Sequence, residues 1–229
     1  MIRIFFALAL SAGVAACGRG RGAARPACPA SEARGPLNFT VSVSSVPTAV
    51  RRDLSLDEIA RVQGGSERRD GGRTQGLTVV EHRLDYRTEV AVTTPPRGGP
   101  ACAWIASLSV DMTPGQVTIY VPRDYAPDSC EAREILLHER RHEEIHRRLL
   151  AQAVEDERAA LAKADRLPTR GTPIPVSDRA EADRRFEALL DRILDPVYDG
   201  FKNELELEQA AIDTPDSYRQ VTARCSGWK

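Results

Sequence analysis

The chain has 229 residues, 41% of them hydrophobic, with a formal net charge of −1. That length suits one domain with attachments or two small ones, and the apolar share is enough for a packed core. The near-neutral balance excludes nucleic acid as the main partner, because phosphate binding needs a clustered basic surface. Lysine occurs only at 163, 202 and 229; so strong a preference for arginine reads as codon bias before it reads as function.

The first sixteen residues read as an export signal. Met1-Ile-Arg3 is a short positive start, Ile4 to Leu10 is apolar, and small residues run on to Val14-Ala15-Ala16-Cys17. The apolar run is too short for a permanent membrane span. Val14 to Cys17 resembles the lipobox of bacterial lipoproteins. That resemblance implies cleavage before Cys17 and lipidation of Cys17, which anchors the chain to a membrane. Gly18, where an aspartate would retain the protein, implies the outer membrane, facing the periplasm. Residues 17–36 are rich in Gly, Ala, Arg and Pro and read as a flexible tether.

Residues 37–229 read as one domain, strand-rich over 37–126 and helical over 127–229. Phe39, Val41 and Val43 alternate with polar residues, which predicts a strand. Ser55 can cap a short helix through Leu56, Ile59 and Val62. Residues 64–76 form a polar, glycine-rich loop. Leu77–Val80, Tyr86–Thr93, Ala103–Val110 and Val117–Val121 read as strands, with a turn signal at Thr113-Pro114-Gly115.

Asp128 or Ser129 can cap a long helix from Glu131 to about Arg166, and the proline-rich stretch 167–175 breaks it. A second helix starts after Ser177, passes Pro196 and ends before Thr214-Pro215. The expected fold is α+β: a small, mostly antiparallel sheet followed by a long antiparallel helical pair.

Export gives the remaining cysteines a meaning. Cys28, Cys102, Cys130 and Cys225 are four cysteines for an oxidising compartment, which suggests two disulfides with three possible connectivities. Cys102–Cys130 is favoured, because both flank the segment that feeds the long helix. Cys28–Cys225 would then tie the chain's ends together. A zinc–thiolate site is disfavoured by the absence of any Cys-x-x-Cys pair.

The chemistry concentrates in the long helix. Three of the four histidines lie in the run His138-Glu139-Arg140-Arg141-His142-Glu143-Glu144-Ile145-His146, which contains His-Glu-x-x-His twice, sharing His142. Residues four apart share a helix face, so two imidazoles can grip one ion while the glutamate between them polarises water. The histidines share their face with Ile135, Leu149 and Ala153, the inward side of an amphipathic helix.

His138 and His146 are about 12 Å apart along the axis, so one ion cannot take all three. The register His138-Glu139-x-x-His142 is preferred, because it directly follows Ile135-Leu136-Leu137. His142, Glu143 and His146 form the alternative register. His82 reads as a surface residue. Tyr198 and Tyr218 could stabilise an oxyanion, although the spacing selects neither.

His138-Glu139-x-x-His142 resembles the active-site helix of the zincin metallopeptidases. The layout over roughly 37–165 is similar to secreted bacterial proteins predicted to be zinc-dependent proteases. The resemblance implies Zn²⁺ bound by His138 and His142, with Glu139 as general base and a peptide or protein as substrate. Arg140 and Arg141 depart from the uncharged pair usual in zincins, and the metzincin glycine extension is absent. A third ligand is therefore expected from the second helix. Antiparallel packing sets position 140 opposite about 203, where Glu204, with Glu208 in reserve, interrupts the apolar face. A carboxylate there would resemble the gluzincin arrangement. The rival reading is a non-enzymatic envelope lipoprotein, a scaffold or binding module with a structural or decayed metal site. In it Glu204 and Glu208 pair with the histidines or nearby arginines without an ion.

Overall fold

The computed structural model describes Cys28 and residues 37–63, 75–94 and 99–228. The signal segment, the lipidation site Cys17, most of the tether and the loop 64–74 lie outside the described residues. The elements are β1 (Phe39–Val43), β2 (Thr48–Arg51), α1 (Leu56–Val62), β3 (Leu77–Thr93), β4 (Ala101–Tyr120), α2 (Cys130–Lys163), β5 (Ile174–Val176), α3 (Arg179–Ile212) and α4 (Pro215–Thr222). No helix among the described residues is long and apolar enough to cross a membrane.

The sheet is organised around β4. β1 and β2 both pair with it in parallel, one after the other. β3 pairs with it antiparallel over almost its whole length, and β5 adds three antiparallel residues at its start. The expectation of a small, mostly antiparallel sheet is thus corrected. The sheet is mixed, its parallel members being two short strands, β1 and β2, whose sequence says nothing of direction. Nor is it complete before the helices begin, since β5 comes from the segment between α2 and α3.

The four strands expected in 77–121 are instead two unbroken ones. Thr113 and Pro114 are carried through as ladder residues opposite Arg83 and His82, with an irregularity on β3 between Val80 and His82. Pro114 falls where β1 has ended and β2 has not begun, a position at which a strand tolerates a missing N–H.

The helices form as the caps foretell. Ser129 accepts from the Ala132 N–H at the start of α2. At α3 the N-cap is Asp178, which accepts from Glu181 N–H, one residue later than expected. The inner faces of α2 and α3 lie on the sheet. Val41, Ile105, Val110 and Met112 meet Leu149, Val154, Phe186 and Leu190 in one apolar cluster. Each such side chain contributes about 1.5–3 kcal/mol when fully buried. A smaller cluster of Leu56, Ile119, Val121, Tyr125, Ala132 and Ile135 fixes the first turns of α2, immediately before the histidines.

Both expected disulfides are corrected. The bonds are Cys28–Cys102 and Cys130–Cys225, each with Cα atoms 5.8 Å apart. Cys102 opens β4 and Cys130 follows its far end. Eighteen strand residues carry the chain up to ~60 Å away, and the ten that follow return at most ~35 Å. A bond requires Cα atoms within about 7 Å. Cys28 therefore meets the start of β4, and the C-terminal segment is stapled to the start of α2.

Candidate metal centre

The third and fourth turns of α2 carry His138, Glu139 and His142 inward, all three buried. One helical turn brings the two imidazoles side by side, with their Nε2 atoms 3.1 Å apart. The third group is Asp213, the residue that ends α3. Its Oδ1 lies 3.0 Å from His138 Nε2 and 3.2 Å from His142 Nε2. Three atoms bound about 2.0 Å from a tetrahedral ion stand about 3.3 Å from one another, so the triangle has the size of one coordination face. His138, His142 and Asp213 form a group of three ligands that could hold a metal ion.

The supporting shell fits the same use. His142 Nδ1 bonds to Oε1 of Gln209, so Nδ1 carries the proton and Nε2 offers its lone pair. Gln209 in turn donates from Nε2 to the His142 carbonyl at 3.0 Å. Tyr218, on α4, donates to Asp213 Oδ1 at 2.7 Å, and its hydroxyl is 3.3 Å from His138 Nε2.

Glu139 accepts at Oε2 from Thr78 Oγ1 at 2.8 Å. Gly76 precedes that strand. A Cβ there would come within 2.5 Å of Ile135 Cγ2 and 2.8 Å of Glu139 Oε1, so the absent side chain lets β3 close over the glutamate. A cleft of about 280 Å³ opens at the centre, bordered by Gly76, Leu77, Thr78, Glu139, His142 and Leu205 among others.

Electrostatics follow the geometry. Burial pushes the Glu139 carboxyl above its ordinary range, against the opposing pull of His142, His138 and Thr78. Burial also pushes Asp213 up, but bonds to His138, His142 and Tyr218 outweigh it and hold the carboxylate far below its usual value. Burial lowers His142, yet the Asp213 bond and the Glu139 charge leave it raised. Asp213 is thus the group held ionised where a cation would sit.

Other expected site residues lie elsewhere. Glu204 is exposed, on the rim of a separate cleft beside Leu149 and Ala153. Glu208 is ion-paired with Arg148. The pairs His138–Asp213 and His142–Gln209 set α3 about two turns out of the expected register, because the linker visits the sheet as β5 instead of turning tightly. The alternative register is not assembled either. Glu143 accepts from Thr48 and, at 2.8 Å, from Arg147, while His146 turns from His142 toward His82, their ring centres 6.0 Å apart. His82 is not a surface residue, since its ring packs on those of Tyr198 and Phe201. Of the two tyrosines, Tyr218 is at the centre, while Tyr198 donates to the His82 carbonyl at 3.0 Å.

Asp213, Gln209 and Thr78 were missed as site residues. Asp213 did leave a signal. A carboxylate at a helix C-terminus opposes the macrodipole, so its presence there calls for compensating cationic or hydrogen-donating partners.

Compared with protein-family models, with curated proteins and with solved structures, the chain has no match.

Proposed function

We propose that the protein is a zinc-dependent peptidase of the cell envelope. One observation carries the reading: two histidine Nε2 atoms and one Asp213 oxygen converge within 4.8 Å of one another, beside a buried glutamate in the turn between the histidines. Nitrogen and oxygen donors in a three-ligand set suit zinc with a position left for water or substrate. A zinc held there would supply Lewis acidity to the water and to the scissile carbonyl.

The chain's own residues account for the rest. Glu139 takes the proton of the attacking water, and its elevated affinity for a proton suits a general base near neutral pH. Thr78 Oγ1 fixes the orientation of that carboxylate. The Tyr218 hydroxyl is in position to donate to a developing oxyanion. Leu77, Val80 and Leu205 give the cleft an apolar wall, suited to the side chain of a peptide next to the cut. The lipobox-like run ending at Cys17 supports membrane anchoring, with the catalytic domain in the periplasm.

A second reading rests on the same hydroxyl. Tyr218 stands close enough to His138 Nε2 to serve as a fourth ligand, and a closed four-ligand set is the mark of a structural zinc. Metal content and cleavage of an unstructured peptide library separate the two. The peptidase reading expects one zinc in the wild type and in Glu139→Gln, with cleavage only in the wild type. It also expects Tyr218→Phe to keep its zinc. Zinc without cleavage, lost in Tyr218→Phe, supports the structural site, and no zinc at all ends both readings.

A further inference from the structure

We propose that His82 and His146 form a second metal site, a two-coordinate seat between β3 and α2 for a soft monovalent cation, with Cu(I) as the biological ion. Nδ1 of His82 and Nε2 of His146 are both shielded from solvent, and neither has a hydrogen-bond partner among the described residues. An imidazole nitrogen so placed is costly unless something meets it. The two belong to neighbouring rings, with centres 6.0 Å apart. A metal–imidazole bond is about 2.0 Å, so two rings holding one ion in a line have centres about 6 Å apart. Rotation about such a line is free, and the 43° between the ring planes does not oppose it.

The surroundings select the charge of the ion. Among the described residues no carboxylate joins the pair as a ligand, and a buried dication without an anionic ligand carries a severe desolvation cost. A monovalent ion costs much less, and imidazole is a good ligand for copper. Phe201 packs edge-type on both rings, 5.3 Å from His82 and 6.0 Å from His146, which keeps the surroundings of the pair apolar.

Burial holds both histidines neutral at pH 7, His146 being brought down to about 4, so each keeps a lone pair to give. Lys202 opposes a cation here, but its ammonium is bonded to Asp199 at 2.7 Å; Glu143 acts in favour from the His146 side. An ion would reach the pair past His146, which borders both the cleft of the first centre and an apolar cleft with Arg147 and Leu150 on the other side.

The site does not depend on the hydrolase reading, and its test is independent. Ag(I) serves as the probe, because it shares the preference for linear coordination and needs no reductant that would open the disulfides. Full-length, zinc-treated protein carrying Cys17→Ser in every sample is titrated calorimetrically in chloride-free buffer. One equivalent of Ag(I) is expected, and equally in His138→Ala. His82→Gln and His146→Gln should each weaken it at least about 100-fold while leaving zinc content and circular dichroism unchanged. X-ray absorption should give two nitrogen neighbours. Failure of the zinc-treated wild type to take up Ag(I), or uptake indifferent to His82→Gln in a folded variant, overturns the proposal. Uptake of Ag(I) by protein that binds no zinc would sink the peptidase and leave this site standing.

Discussion

Nε2 of His138 and Oδ1 of Asp213 lie 3.0 Å apart although seventy-five positions separate them in the chain. The contact joins the start of one long helix to the end of the other, and an ion between them would be held by two elements that tertiary packing alone brings together. Removing a partner outside the coordination sphere commonly costs 10–100-fold in metal affinity, and losing a direct ligand should cost more. Asp213→Asn is therefore expected to weaken zinc binding by at least about 100-fold. Glu204→Gln and Glu208→Gln should leave it unchanged. Competition with a chromogenic chelator measures all three. A Glu204 effect equal to that of Asp213 would reverse the assignment.

Cys225 is bonded to Cys130, and the same C-terminal segment is held at the start of α2 by Gly227 N–H donating to Glu131 at 2.7 Å. This staple closes the stretch that carries both Asp213 and Tyr218 onto the helix that carries the histidines. Removing it with Cys130→Ser and Cys225→Ser together should lower stability by about 2–4 kcal/mol and also weaken zinc binding. Removing Cys28–Cys102, which ties the start of β4, should lower stability without a comparable effect on zinc. Urea denaturation with parallel chelator competition tests the split; equal zinc affinities in the two double variants would refute it.

How much of this was readable follows from what each feature depends on. The histidine face of α2 was legible, because i, i+4 spacing against Ile135 and Leu149 is a local property of one helix. The helix ends were legible from Ser129 and from Thr214-Pro215. The third ligand was not, since it depends on how far the chain between 164 and 178 travels, and β5 takes that chain to the sheet edge. The disulfides were not legible either, because the separation of Cys102 from Cys130 depends on β4 running straight through Thr113-Pro114, which locally reads as a turn. The parallel placement of β1 and β2 rests on the packing of short strands whose own pattern says nothing of direction. His82 alternates with exposed residues along β3 and met its buried partners only through α2 and α3.

Gly76 packs so closely on α2 that an added methyl would overlap Ile135 and Glu139. Overpacking of this kind costs typically 1–3 kcal/mol, and here the yielding group includes the proposed base. Gly76→Ala should lower stability by that amount and reduce peptide cleavage, with zinc stoichiometry retained. Gly200, within α3, faces open space, and a methyl group added there would meet nothing within 4 Å. Gly200→Ala should therefore stabilise by about 0.5–1 kcal/mol and leave cleavage unaltered. Thermal denaturation and turnover of the two variants, side by side, separate crowding at the site from glycine replacement in general.

Glu157 is fully buried in α2, and neither carboxylate oxygen has a hydrogen-bond partner among the described residues. Burial first, and then the charges of Asp156 and Asp195, raises its pKa to about 8. The native protein therefore keeps a proton that the unfolded chain releases near the ordinary glutamate value. Between roughly pH 4.5 and pH 8 the folded state binds more protons, so this group makes stability fall as pH rises, by at most about 1.4 kcal/mol per pH unit. Below that window the effect is absent, and above it the cost is complete. Glu157→Gln removes the ionisation. Its buried amide sets a constant offset, so only the change with pH is diagnostic. Relative to wild type, the variant should gain stability steadily from pH 5 to pH 8 in urea denaturation with the disulfides intact. A difference that stays constant across that range would mean that Glu157 is already ionised in the folded protein, with a counter-charge supplied to it.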